Sequence, residues 1–227
     1  MEQKKYSVLI IDDHPLILEA YKKALDFFTK QNLNITFSIE IAQNCDEAIE
    51  FLNAQHLKEK LIDIVFLDIK LPPSKDGKIL SGEDLGILIK KFFTNTKIII
   101  STTFNDNYRI HSLFRTINPD GFLIKNDITN TELIETIGAI INDPPYYSKT
   151  VVKLLRKQVS NDLLLDYLDR KLLYELSIGT KMKELPNILP LSIAGIEKRK
   201  RHLKEIFHVE NGDDKELLLV AREKGFI

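Results

Sequence analysis

The chain has 227 residues, 44% hydrophobic and 29% charged, the balance of a folded globular protein rather than a disordered one. No apolar run reaches membrane-span length, and no signal-peptide core follows the polar stretch Met1–Tyr6. The single cysteine, Cys45, excludes an internal disulfide or a Cys-rich zinc site, so a cytoplasmic protein with no membrane partner is expected.

In chain order, Tyr6–Ile11 is an apolar run of strand length closed by Asp12–Asp13 and His14–Pro15. Pro15 suits the first turn of a helix, along which Leu18, Tyr21, Leu25 and Phe28 share a face. Ile35, Phe37, Ile39 and Ile41 alternate with polar residues, a strand signal. Asp46 precedes a short helix through Ala48, Ile49 and Leu52, and Ile62–Leu67 is a buried-type strand ending in Asp68. After a polar stretch with Pro and Gly, Ser81 and Asp84 mark a helix start, with Leu85, Leu88, Ile89 and Phe92 as its apolar face. Ile98–Ile100 is a fourth strand, ending in Ser101–Thr102–Thr103. A weaker helix over residues 106–117 leads to Gly121–Ile124, closed by Lys125. Thr129 and Glu132 have capping-box spacing and head a helix through Leu133, Ile134, Ile137 and Ile141.

Strands alternating with helices in this way form a mostly parallel sheet, whose strand ends share one edge where ligands bind. Asp12, Asp13, Asp68, Thr102 and Lys125 all fall at that edge. Three crowded carboxylates repel one another unless a cation joins them. Their hard oxygens suit Mg²⁺. An Asp carboxylate can attack phosphorus, while a lysine ammonium and a hydroxyl stabilise the transferring phosphoryl oxygens. The constellation predicts a phosphoryl-acceptor site.

Residues 6–141 resemble the receiver domain of two-component response regulators. The resemblance rests on Val8-Leu-Ile-Ile-Asp-Asp-His-Pro15, Ile64-Val-Phe-Leu-Asp68 with Leu71-Pro72, Ile98-Ile-Ile-Ser-Thr-Thr-Phe104 and Gly121-Phe-Leu-Ile-Lys125. It implies a flavodoxin-like five-stranded sheet of order 2-1-3-4-5, with Asp68 as phosphoacceptor and a sensor histidine kinase as partner. It also implies that Mg²⁺ is held by Asp13, by Asp12 through water, by Asp68 and by the backbone carbonyl of Lys70. Thr102 becomes the switch hydroxyl, Phe122 the switch aromatic and Lys125 the phosphate-binding lysine. Two features depart from the family. Pro73–Leu80 looks like an insertion beside the phosphorylation site. Asn126 follows Lys125 where many receivers have proline, and without proline a cis peptide there would cost about 2.5–4 kcal/mol.

The second half differs in charge and pattern. Residues 1–149 hold 17 basic and 21 acidic side chains; residues 150–227 hold 15 and 12, a basic surplus that suits a polyanion. Asp143-Pro-Pro-Tyr-Tyr-Ser148 breaks the preceding helix, which gives a receiver over 1–145, a linker over 146–162 with a helix across Val151–Val159, and an all-α domain over 163–227. Leu168, Leu172, Leu173 and Leu176 form one helical face ended by Gly179, and Thr180 starts a short helix with Met182, Leu185 and Leu189. Ser192 can cap the next helix, whose buried stripe is Ile193, Ile196, Leu203 and Phe207. Lys198, Arg201 and His202 project opposite, and Arg199, Lys200 and Lys204 flank the stripe. A final helix covers about 214–224.

Two helices joined by a tight turn, the second basic on its outer face, form a helix-turn-helix suited to the major groove of double-stranded DNA. Residues 165–227 resemble the LuxR/NarL-type DNA-binding domain, a small four-helix fold, through Leu172-Leu173, Leu176, Gly179, Glu184-Leu185, Leu189, Leu191-Ser192, Ile196, Leu203, Phe207 and the closing Ala221-Arg-Glu-Lys-Gly-Phe-Ile. The resemblance implies that Lys198 and Arg201 face base edges and Arg199 the backbone, with Ser192 and His202 at the same surface. Pro186, Gly195 and Glu197 depart from the pattern.

The sequence thus reads as an α/β plus all-α response regulator, not an enzyme, that controls transcription and dimerises on phosphorylation. A dehalogenase-like phosphatase would need a second Asp where Lys70 stands, and no P-loop motif occurs. The alternative is a phospho-regulated protein-interaction module with a degenerate C-terminal domain that does not bind DNA.

Overall fold

The computed structural model describes residues 3–103, 107–156, 165–209 and 213–227. The chain divides into two compact units, Met1–Asn105 with Leu113–Lys153, and Asp106–Ser112 with Leu154–Ile227. No helix among the described residues is long and apolar enough to cross a membrane.

The first unit is built on a parallel sheet of six strands, β1 (Lys4–Ile11), β2 (Ile35–Ala42), β3 (Ile64–Asp68), β4 (Lys97–Thr102), β5 (Gly121–Ile124) and β6 (Tyr146–Tyr147), in the order β2-β1-β3-β4-β5-β6. The helices between strands are α1 (Pro15–Gln31), α2 (Cys45–Leu57), α3 (Gly82–Phe92), α4 (Asn107–Ile117), of which the part from Leu113 on belongs to this unit, and α5 (Asn130–Asn142). Their starts follow local chemistry. Asn44, Ser81 and Thr129 each accept an amide of the first turn of α2, α3 and α5, and Pro15 opens α1.

The sixth strand is an addition to the expected five. Pro144 and Pro145 stop α5, and the chain turns back along β5. Tyr146 donates its amide to Asp120 O at 2.9 Å and Ser148 to Phe122 O at 3.0 Å. The expected linker helix is found as α6 (Lys149–Leu155), which ends in a turn at Arg156; residues 157–159 of its expected span lie outside the described residues.

Strand alternation assigns each residue to one face of the sheet. Val8, Ile10, Phe66, Ile99 and Leu123 pack on Tyr21, Leu25 and Phe28 of α1 and on Leu133, Ile137 and Ile140 of α5. Leu9, Ile11, Val65, Leu67, Ile98, Ile100 and Phe122 are equally buried on the other face, which is why these strands read as continuous apolar runs. Two residues beyond Ile10, Phe66, Ile99 and Leu123 come Asp12, Asp68, Ser101 and Lys125. The sheet therefore carries its polar residues to the same face and the same edge.

The second unit contains α7 (Tyr167–Ser177), α8 (Ile193–Ile206) and α9 (Asp214–Glu223) around Leu172, Leu173, Leu185, Leu189, Ile196, Leu203, Phe207, Leu217 and Phe226. The short helix expected from Thr180 is instead a turn followed by a 3₁₀ helix at Leu185–Asn187. Pro186 explains the difference: it has no amide to donate and sits in the first turn, where none is needed. Ser192 caps α8 by accepting the Gly195 amide at 3.2 Å. Around Gly195 an added Cβ would meet nothing nearer than Ser192 Oγ at 3.5 Å, and α8 runs through it unbroken.

At the other end of the sheet, Asp120 accepts the Ile98 amide at 3.0 Å and pairs with Lys90 at 3.0 Å and Lys97 at 3.2 Å. Burial pushes its pKa up, but the amide and the two ammonium groups together hold it below the ordinary 3.8. A depressed carboxylate stabilises the fold above its unfolded pKa, and that contribution is lost as pH falls through the folded value. Asp120→Asn should therefore lower stability at pH 7 by about 1–3 kcal/mol. Urea unfolding at several pH values checks this: the gap to wild type should close below about pH 4.

Candidate functional site

At the carboxyl edge, Lys125 Nζ lies 2.6 Å from Asp68 Oδ2 and 2.7 Å from Asp12 Oδ2. Both carboxylates are 1% exposed. Asp68 Oδ1 accepts the Lys70 amide at 2.9 Å, and Asp12 Oδ1 accepts that of His14 at 2.9 Å. Asp13, partly exposed, pairs with the His14 ring. Asp12, Asp13, His14 and Asp68 can each turn a ligand atom to within 4.8 Å of the others.

Burial raises the Asp68 pKa more than Lys125 and the Lys70 amide lower it, and the neighbouring Asp12 charge adds to the rise. Three carboxylates against one ammonium leave the site with a formal charge of −2 when all are ionised. Oxygen donors with that net charge fit a divalent cation.

Thr102, at the end of β4, is fully buried. Phe122 is also fully buried, its ring stacked on Phe114 of α4 at 5.4 Å, and Phe114 in turn meets Tyr147 of β6 edge-on at 4.9 Å. The cis peptide among the described residues is Pro144–Pro145, so the Lys125–Asn126 bond is trans; Lys125–Asp127 continue as a 3₁₀ turn.

The insertion Pro73–Leu80 closes on itself beside the site. Buried Ser74 donates to Asp76 Oδ1 at 2.7 Å and accepts the Ile79 amide at 3.1 Å, and Gly77 takes the left-handed φ of 63° that the turn needs. The Lys75 amide reaches Asp46 of α2, and Leu80 donates to Asp84 of α3 at 2.8 Å. The motif reading missed Gly82. A Cβ there would stand 1.8 Å from the Asp68 carbonyl oxygen, so α3 can begin against the acceptor strand only with glycine. It also passed over His14, and gave Tyr21 and Ser101 no role beyond packing and position.

In the second unit, Ser192, Lys198, Arg201 and His202 are exposed on α8, together with Glu197 and Glu205. Lys198 and Arg201 make no ion pair among the described residues. Arg199 is placed differently from a simple backbone-contacting side chain: it pairs with Asp169 at 2.6 Å and Asp166 at 2.9 Å, the two members of the capping box that starts α7. Lys200 and Lys204 pair with Asp214 of α9 at 2.9 and 3.0 Å.

A parallel α/β unit with an acidic carboxyl edge and a facing lysine defines a receiver domain, followed in this chain by a small helical unit. The chain belongs to the response regulator receiver domain family, which matches residues 8–138. It is similar to the oxygen regulatory protein NreC of Staphylococcus aureus, 23% identical over 208 residues that cover 86% of this chain and 88% of that one. Its fold is similar to that of RcsB from Salmonella enterica serovar Typhimurium. With RcsB bound to promoter rprA in the presence of the phosphomimetic BeF3⁻, identity is 22%, the TM-score 0.65, and coverage 96% of this chain and 98% of that one. With RcsB bound to promoter P1flhDC the values are 22%, 0.64, 97% and 100%.

The ion pairs of α8 separate two kinds of basic residue. Arg199→Ala should destabilise the second unit by about 1–3 kcal/mol, since it leaves Asp169 buried without its partner. Lys198→Ala should change stability by no more than about 0.5 kcal/mol. Thermal unfolding of the two variants beside wild type measures the contrast.

Proposed function

We propose that this protein is the cytoplasmic response regulator of a two-component phosphorelay, accepting a phosphoryl group from a sensor histidine kinase on Asp68 and regulating transcription by binding DNA through α8. The observation that carries the reading is the buried Asp12–Lys125–Asp68 cluster at the carboxyl edge of a family-matched sheet.

The chemistry follows from the positions. An oxygen of Asp68 attacks phosphorus of the kinase phosphohistidine, the P–N bond breaks as the new P–O bond forms, and the imidazole leaves. Lys125 faces the attacked group and offsets its negative charge; Thr102 donates a hydrogen bond to a phosphoryl oxygen. Asp12, Asp13, Asp68 and the Lys70 carbonyl would hold Mg²⁺, which supplies charge neutralisation for the transfer. An uncompensated site charge of −2 supports that assignment.

Movement of Thr102 toward the phosphoryl group gives Phe122 room to rotate. Because Phe122 stacks on Phe114, and Phe114 meets Tyr147 edge-on, the rotation shifts β6 and the chain leading to α6. Phosphorylation in this way favours dimerisation and DNA binding. A shift from 1:99 to 99:1 requires about 5.5 kcal/mol of differential stabilisation.

On the DNA side, the continuous α8 and the accommodated Pro186 and Gly195 speak against a degenerate motif. Lys198 and Arg201 face base edges, with Ser192 and His202 beside them. Arg199 acts first through α7, and reaches the DNA backbone only at the edge of the interface.

With Mg²⁺ and acetyl phosphate, the protein should gain one acid-stable, base-labile phosphate, and Asp68→Asn should abolish it. Phosphate mass-mapping checks this, and full labelling at another residue would remove Asp68 from the role.

Operator binding, followed by gel shift with genomic fragments, should tighten on phosphorylation. Lys198→Ala and Arg201→Ala should each weaken it by about 1–3 kcal/mol without altering phosphate uptake. Affinity should also fall steeply with salt as counterions are released. Equal affinities of phosphorylated and unmodified protein would mean that phosphate does not control DNA binding.

A further inference from the structure

Tyr21 lies one layer beneath the carboxylates. Its ring packs 4.6 Å from Phe66, the residue two before Asp68 on the same face of β3, and the side chain is 1% exposed. Its hydroxyl completes no hydrogen bond. Ser101, the register partner of Asp68 on β4, is also 1% exposed, and its hydroxyl likewise completes none. Asp12 Oδ2 has the Lys125 ammonium at 2.7 Å and keeps a second lone pair for a further donor.

Two buried hydroxyls without hydrogen bonds on one face of one sheet are unusual, because each costs about 1–3 kcal/mol if left so. They are also neighbours. Burial raises the Tyr21 pKa, Ser101 lowers it, and the charges of Asp12 and Asp68 raise it again, so the phenol senses all three groups. A tyrosine here needs a reason, since phenylalanine would fill the same volume among Phe66, Leu25 and Ile99 without an idle hydroxyl.

We infer that Tyr21 and Ser101 are positioning residues for the acceptor site, their hydroxyls joined to the Asp12–Asp68 carboxylates through one buried water that fixes how those carboxylates meet the cation. A buried water making three hydrogen bonds satisfies both hydroxyls and still donates to a carboxylate. The phenol donates toward the carboxylates, the serine hydroxyl turns to accept or donate, and the water closes the network. The inference rests on the reading of this edge as a cation-assisted phosphoryl acceptor. It adds a polar floor built from α1 and β4 to the ligands at the strand ends.

The sign of the effect of Tyr21→Phe separates the two roles of the hydroxyl. An idle hydroxyl destabilises, so its removal raises the thermal midpoint and leaves Mg²⁺ binding alone. A networked hydroxyl orients ligands, and loss of such an outer partner typically weakens metal binding by about 10-fold or more. We expect Tyr21→Phe and Ser101→Ala each to raise the Mg²⁺ midpoint about 10-fold, read by amide chemical-shift titration of the unphosphorylated full chain. The double variant should be little worse than either single one, because both act through one network. The maximal rate of phosphate uptake from acetyl phosphate at saturating Mg²⁺ should stay within about two-fold of wild type, as expected when binding alone is weakened.

An unchanged Mg²⁺ midpoint in both variants overturns the inference, whatever the thermal midpoint does. Failure of the wild-type protein to take phosphate on Asp68 would instead overturn the reading of the site, and the Mg²⁺ titration would still decide whether Tyr21 and Ser101 position its carboxylates.

Discussion

The ion pairing of Asp12, Lys125 and Asp68 is the constraint on which the rest of the first unit depends. Two buried carboxylates this close repel each other and lose their hydration, and a single ammonium between them is what lets them share the site. The strand order makes this a long reach. Lys125 leaves β5 and meets Asp68 on β3 and Asp12 on β1, so its stem crosses the end of β4. Neighbouring strands lie about 4.8 Å apart, and the small side chain of Ser101, on the same face of β4, leaves that path open. A bulky residue there would close it.

The same edge dictates its surroundings. Gly82 exists because α3 starts against the Asp68 carbonyl, and the insertion before it is tied down at both neighbouring helices through Asp46 and Asp84. An unanchored loop of that length beside a buried charged site would admit water and solvate it. The closed turn around Ser74 keeps the acceptor flanked by ordered backbone. The aromatic contacts from Phe122 through Phe114 to Tyr147 lie on the opposite face of the sheet from Lys125 and Asp68. Polar chemistry and apolar packing thus occupy the two sides of the same strands.

In the second unit, one helix divides its cations by angle. Arg199, Lys200 and Lys204, which flank the apolar stripe, are drawn to acidic residues of α7 and α9, where partial burial strengthens the pairing. Lys198 and Arg201, further round the helix, keep their charge for solvent or for a polyanion. The net positive charge of this half of the sequence therefore overstates what the outer surface offers.

Much of this was legible in the sequence because its signals are local. The strand runs, the caps at Ser81, Thr129 and Ser192, and the residues closing each strand depend on near neighbours and on a period of two or 3.6. The parallel sheet then requires that Asp12, Asp68, Thr102 and Lys125 fall at one edge. What only the tertiary structure decided involves partners far apart in the chain. A two-residue strand such as β6 carries no periodicity, and it forms because β5 offers an open edge. Pro186 departs from the family pattern, yet it opens a 3₁₀ turn in the segment where Leu185 and Leu189 are packed in the core. The pairing of Arg199 with Asp166 and Asp169 joins two helices of the unit and carries no local signal. Tyr21 read as one more apolar residue of a helix face; only the packed sheet shows where its hydroxyl lies, because burial and hydrogen-bond partners are properties of the fold and not of the chain's local pattern.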